Sequence, residues 1–216
     1  MTWLPIYNAF CVFIFLLSAI FWNMSGLLFF LALFGFSSLF LWLETDYSLC
    51  FHFVDGFWLF ILSELIVFIS LLTACVWFFE EEASHLSHSD DIPLFGCFLL
   101  LSSSICVTAY HHEFGLSHKV SPNLILCVLL GLGFVLLQLF EFSECEVTIL
   151  STSYHASCFS TVGLHFSHVV IGIILLTGCF LLKESNLGYY YSTAVVWYWH
   201  FVDYIWLLVY IVVYIC

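Results

Sequence analysis

Arginine is absent from this 216-residue chain, and lysine occurs only at Lys119 and Lys183. So few cations beside a formal charge of −13 leave nothing to neutralise phosphates, which excludes nucleic acid as a partner. Charged residues of both signs amount to 8%, against about 25% in an ordinary soluble domain. A water-soluble fold could not be covered with so little polar surface, because 64% of the residues are hydrophobic. Alternating strands of about ten residues, which would mark a membrane β-barrel, are missing. So is any C-x-x-C pair, and most of the ten cysteines lie inside apolar runs, where they read as small packing residues. The first residues show no basic n-region, cleavage site or Arg-rich transit pattern, which points to membrane entry through the protein's own helices.

What is present is a series of long apolar runs. A bilayer core about 30 Å thick needs about 20 such residues as a helix. Seven runs qualify, at residues 3–21, 26–43, 56–79, 92–110, 123–140, 156–182 and 193–215. Helices satisfy their backbone groups internally, so the expected fold is an all-α, polytopic membrane protein with seven transmembrane helices. The polar breaks agree: "NMSG" after the first run, "EEEASHLSHSDDIP" after the third, "HHEFGLSHKVSP" after the fourth, "SECEVT" after the fifth and "KESN" after the sixth. The long gap at 44–55 suggests a two-helix unit over 1–46, a linker at 47–55 and a five-helix unit over 56–216. Lys119 and Lys183 lie an even number of crossings apart, so both fall on one side, and the positive-inside rule places the N-terminus there too.

Charge inside a membrane costs roughly 2.5–3.5 kcal/mol at the helix centre on insertion scales, so the intramembrane polar residues are the functional candidates. They are Glu64, Gln138, Glu141, His165, His168, His200 and Asp203. Glu64 has no cation within sequence reach; it reads either as a protonated acid bonded to a neighbouring helix or as a proton-exchanging carboxyl. Gln138 and Glu141 share a helix face, as do His165 and His168. The two histidines could share a metal, but bonding to a carboxylate such as Glu141 on the preceding span is the simpler reading. His200 and Asp203, in "WYWHFVDYIW", read as a polar clasp facing other helices.

These segments resemble subunit III of the haem–copper cytochrome c oxidases. "WYWHFVDYIWLLVYIVVY" (197–214) is similar to that family's last helix, and "LLGLGFVLLQLFEFSE" (129–144) to its fifth. "TVGLHFSHVVIG" (161–172) resembles its T-G-x-H-x-x-H signature with Val162 intervening; "TAYHH" (108–112) and "LFILSELIVF" (59–68) match the fourth and third helices. The resemblance places Glu64 at the family's buried carboxylate and implies a V-shaped cleft between the two helical units that holds phospholipids. It implies a non-catalytic core subunit of complex IV that packs on subunit I and supports proton uptake and turnover stability. Haem and copper are then expected in partner subunits, with no cofactor or metal in this chain. The implied location is the mitochondrial inner membrane, with the N-terminus on the matrix side and an organelle-encoded origin. The missing arginines, Glu44 and Glu81 depart from the family pattern around lipid headgroups. The runner-up is a membrane di-iron desaturase or hydroxylase using the histidine clusters, although the only adjacent pair, His111–His112, lacks the upstream histidine such a box requires.

Overall fold

A computed structural model describes residues 4–44, 54–79, 86–88, 91–113, 122–182 and 184–215. Both lysines, the acidic Glu80–Glu82 and the linker up to residue 53 lie outside them, so the orientation reading rests on residues that are not described. Seven α-helices and no strand occur among the described residues: α1 (Leu4–Ile20), α2 (Met24–Glu44), α3 (Val54–Trp77), α4 (Ile92–Glu113), α5 (Pro122–Glu144), α6 (Ser153–Leu182) and α7 (Glu184–Val209). The last continues as a π-helical turn, Tyr210–Ile215. The chain divides into two compact units, Met1–His52 and Phe53–Cys216.

Helices α3 to α7 are each long and apolar enough to cross a bilayer. The expectation of seven such spans is met less fully by α1 and α2, whose described apolar stretches, Ile6–Ile20 and Met24–Phe40, are shorter. Helix starts follow local chemistry. Pro122 opens α5, where its missing N–H is no loss. Thr152 precedes α6, and its Oγ1 accepts the His155 backbone N–H at 3.2 Å, an N-cap. Helix α7 begins at Glu184, well ahead of the expected 193. Hydropathy marks the lipid-facing part of a helix and misses a polar first turn, so "ESN" belongs to α7 and not to a loop.

In the first unit the turn between α1 and α2 falls at residues 21–23, and Gly26 of "NMSG" is already helical. Trp22 takes the left-handed conformation at φ 50°. Two interhelical hydrogen bonds hold the pair: Tyr7 Oη to Leu33 O at 3.0 Å, and Ser37 Oγ to Asn8 Oδ1 at 2.8 Å.

In the second unit α7 packs against α3, α4 and α6, while α5 packs on α4 and α6. The exterior is apolar, with Ile105, Leu136 and Ile174 exposed, and the interior carries Ser103, Gln138, Glu141, Thr161, His165 and Asp203. That inversion is what a hydrocarbon solvent demands. Trp199 is fully buried at the centre and donates Nε1–H to Ser103 Oγ at 3.0 Å. Its ring fits only because two neighbours lack side chains. A Cβ on Gly172 would lie 2.7 Å from the ring, and one on Gly131 2.9 Å.

Gly172→Ala is therefore expected to destabilise the unit by about 1–3 kcal/mol, the usual cost of overpacking. Gly178→Ala, where nothing lies within 4 Å, should be neutral or mildly stabilising. Thermal unfolding of the two variants in detergent compares them directly.

Candidate functional site

Glu64 on α3 and His168 on α6 meet at 3.0 Å, Oε2 to Nε2. The other ring nitrogen of His168, Nδ1, lies 2.9 Å from the Leu164 carbonyl of its own helix. A carbonyl only accepts, so Nδ1 carries a proton. The Glu64 contact then holds one further proton, either on Nε2 facing a carboxylate or on Oε2 facing a neutral imidazole. Both arrangements have no net charge, which is how the pair tolerates apolar surroundings. Phe68 covers the imidazole edge-on at 5.2 Å between ring centroids, and Tyr198 donates its hydroxyl to His168 O at 3.3 Å. The Glu64 side chain keeps 25% exposure, so the pair reaches the surface of the unit.

The contact to a neighbouring helix is one of the two readings of Glu64, and the expected carboxylate partner of the histidines is corrected. Glu64 does have a partner, one 104 residues away in sequence. The histidines do not reach Glu141. His165 instead gives Nε2–H to Val202 O on α7 at 3.2 Å, with its ring 4.9 Å from that of Trp206. The two imidazoles thus make their hydrogen bonds to different helices, α7 and α3. Among the described residues no three His, Cys, Asp or Glu side chains are grouped to hold a metal ion, and the di-iron reading finds no ligand set there.

Gln138 and Glu141, three residues apart on α5, bond to each other: Nε2 to Oε2 at 2.7 Å. The second carboxylate oxygen, Oε1, accepts from Ser87 Oγ at 2.6 Å. Ser87 lies between α3 and α4, and no sequence pattern singles it out. A serine in a polar loop is unremarkable until its neighbour across the fold is known.

His200 and Asp203 are not one clasp. His200 Nδ1 lies 2.8 Å from Ser104 Oγ, and Nε2 lies 3.3 Å from Thr108 Oγ1, both on α4. Thr108 spends its only hydroxyl proton on Ser104 O at 2.9 Å, so it accepts from Nε2–H and Ser104 donates to Nδ1. The imidazole is neutral and fully bonded. Asp203, 1% exposed, faces inward, and neither carboxyl oxygen has a hydrogen-bond partner. The Ser104–Thr108 pair was also beyond sequence reading, since i, i+4 hydroxyls on an apolar helix usually bond back to their own backbone.

The difference between a paired and an unpaired group can be measured. His168→Ala leaves Glu64 without its partner and is expected to cost about 1–3 kcal/mol. Asp203→Asn strands no partner and should change stability by less than about 1 kcal/mol. Denaturant unfolding in detergent separates the two outcomes.

Comparison with known proteins places this geometry in context. The family model described as cytochrome c oxidase subunit III matches residues 5–216. A cytochrome c oxidase subunit 3 from Loxodonta africana is 37% identical over 131 residues, covering 57% of this chain and 50% of that protein. The one from Drosophila melanogaster is 34% identical over 179 residues, covering 74% and 67%. That from Anopheles gambiae is 33% identical over 182 residues with the same coverage. The chain thus spans about half the length of the first of these relatives. The family match runs through all seven helices, and with it the di-iron alternative is set aside: this chain belongs to the cytochrome c oxidase subunit III family.

Proposed function

We propose that the chain is the subunit III component of a respiratory cytochrome c oxidase, complex IV, in the mitochondrial inner membrane. The observation that carries this is the continuous family match over residues 5–216. In this reading the subunit packs on subunit I, where haem and copper perform oxygen reduction, and itself does no redox chemistry. The N-terminus faces the matrix, and the gene is organellar. Its contribution is to keep the complex turning over, through bound phospholipid and through Glu64 as a proton-handling group. An apolar groove of about 220 Å³ between α5 and α6, lined by Leu124, Val128 and Phe180 among others, has the chemistry of a site for an acyl-chain segment.

The Glu64–His168 contact supports the proton-handling role physically. A proton can move between Oε2 and Nε2 without creating net charge in an apolar setting, whereas an isolated carboxylate there would have to be desolvated alone. Partial exposure of Glu64 gives the pair access to the surroundings of the unit. No electron path is required of either residue.

Three outcomes test the assignment. The chain should co-purify with a haem-bearing oxidase core. A hydrophobic carbodiimide, which needs a protonated carboxyl in an apolar environment, should label Glu64 ahead of the exposed Glu144 and Glu146. Glu64→Gln in the assembled complex should leave initial oxygen consumption largely intact while shortening the active lifetime or weakening proton pumping. Purification of the chain apart from any haem protein would overturn the reading, and so would loss of oxygen reduction in a fully assembled Glu64→Gln complex.

A further inference from the structure

Tyr204 is the middle residue of the apolar run 193–215. Roughly 16 Å of helix, at 1.5 Å per residue, separates it from either end of that run. Its side chain is nonetheless 61% exposed on the outside of the five-helix unit. The ring stacks on that of His200, one turn earlier on α7, with 6.3 Å between centroids and 23° between planes. Among the described residues the Tyr204 hydroxyl has no hydrogen-bond partner. His200 cannot serve, because both of its ring nitrogens are taken by Ser104 and Thr108. An unbonded hydroxyl in hydrocarbon has no water to pair with and is penalised accordingly. Tyrosines near a membrane surface avoid this by keeping the ring among acyl chains and the hydroxyl at the headgroups. A tyrosine side chain is much shorter than the distance from residue 204 to either end of the run, so that route is closed.

Exposed serines and threonines on the same unit do not share the problem. Ser63, Ser70 and Thr73 on α3, Ser102 on α4, and Ser160 and Ser167 on α6 each donate to a carbonyl three or four residues earlier in their own helix. A short side chain can reach back in this way, whereas a phenol at the end of a rigid ring cannot. Helix α5 shows the opposite case. Its exposed Leu129, Leu132 and Leu136 form an apolar surface that acyl chains cover without loss.

We propose that the face of α4 and α7 around Tyr204 is covered by a transmembrane helix of another subunit, which accepts a hydrogen bond from the Tyr204 hydroxyl at mid-depth. The acceptor is a backbone carbonyl freed within that helix or a side-chain oxygen on it; the middle of an acyl chain offers neither. The surroundings suit a helix. Ile105, next in sequence to Ser104, and Leu208, one turn beyond Tyr204, are exposed as well, so a single polar point is set in an apolar surface. Helices in a membrane choose neighbours by close packing and by such interhelical hydrogen bonds. This inference rests on the reading that the chain works within a multi-subunit complex, and it names the face that the complex uses.

A carbene-generating photoreagent dissolved in the lipid phase tests it on the native complex in its membrane. Insertion at Tyr204 and Ile105 is read by peptide mass spectrometry. Both residues are expected to gain label several-fold once the chain has been separated from its partners in detergent. Tyr204→Phe removes only an oxygen that bonds to nothing in its own chain. It is expected to speed loss of the chain from the complex under detergent by about two- to tenfold, the worth of one hydrogen bond, with thermal unfolding of the separated chain unchanged. Equal labelling before and after separation would overturn the interface: if high, acyl chains cover the face, and if low, the chain covers itself. Shielding in a preparation that holds only copies of this chain would assign the face to self-association and overturn it too. So would equal retention of Tyr204→Phe and the unaltered chain. Co-purification with a haem-bearing core decides the oxidase assignment separately, so a freely labelled Tyr204 within a haem-bearing complex overturns this interface alone.

Discussion

A polar side chain in hydrocarbon has no water to fall back on, and the arrangement of the five-helix unit follows from that. Most of the interior polar groups described on α3 to α7 are tied to another helix, to their own backbone or to a loop. Glu64 is tied across to His168, His200 to Ser104 and Thr108, Glu141 to Gln138 and Ser87, and Trp199 to Ser103. These contacts join α3 to α6, α4 to α7 and α5 to the segment before α4. Apolar packing alone would not choose among helix neighbours in a solvent as apolar as leucine; small residues and polar contacts make that choice. Gly131 and Gly172 admit Trp199, and Ser103 orients it.

The spans themselves were legible because they depend on length and hydropathy, which are local. The starts of α4 and α5 lie at or beside their expected positions for the same reason. The start of α7 was not, because a polar helical turn and a polar loop have the same composition. The turn after α1 was displaced for a related reason: "NMSG" read as the break, but the left-handed residue is Trp22, just ahead of it. The polar residues of interest could be picked out from their cost in a membrane. Their partners could not. Periodicity says which face of a helix a residue occupies and says nothing about what stands opposite. Thus Gln138 and Glu141, partners within one helix, were within reach, whereas Glu64 and His168 were not. The hydroxyl residues that complete each contact carry no signal on an apolar helix beyond their presence.

Asp203 departs from the pattern of paired groups. It is the most deeply buried carboxyl of the set, yet it lacks a partner, while His200 one turn earlier is fully bonded. A neutral carboxylic acid in that position costs far less than a carboxylate would. The spacing that suggested a pair reflects two separate demands on one helix face: one side meets α4 and the other meets the centre of the unit.

The π-helical turn at Tyr210–Ile215 has a consequence for chain length. A turn closed by i→i+5 bonds contains one residue more than an α-turn. Deleting a single residue within this turn lets the backbone relax into ordinary α-helix, so the π-helical turn is a place where the sequence can lose a residue with little displacement of its neighbours. A deletion further up α7 has no such outlet. Every side chain beyond it would swing by about 100°, taking Trp206 away from the Phe134 ring that it meets edge-on at 4.8 Å. Length variation among close variants of this chain would therefore be tolerated at the π-helical turn and excluded from the stretch between Trp199 and Trp206.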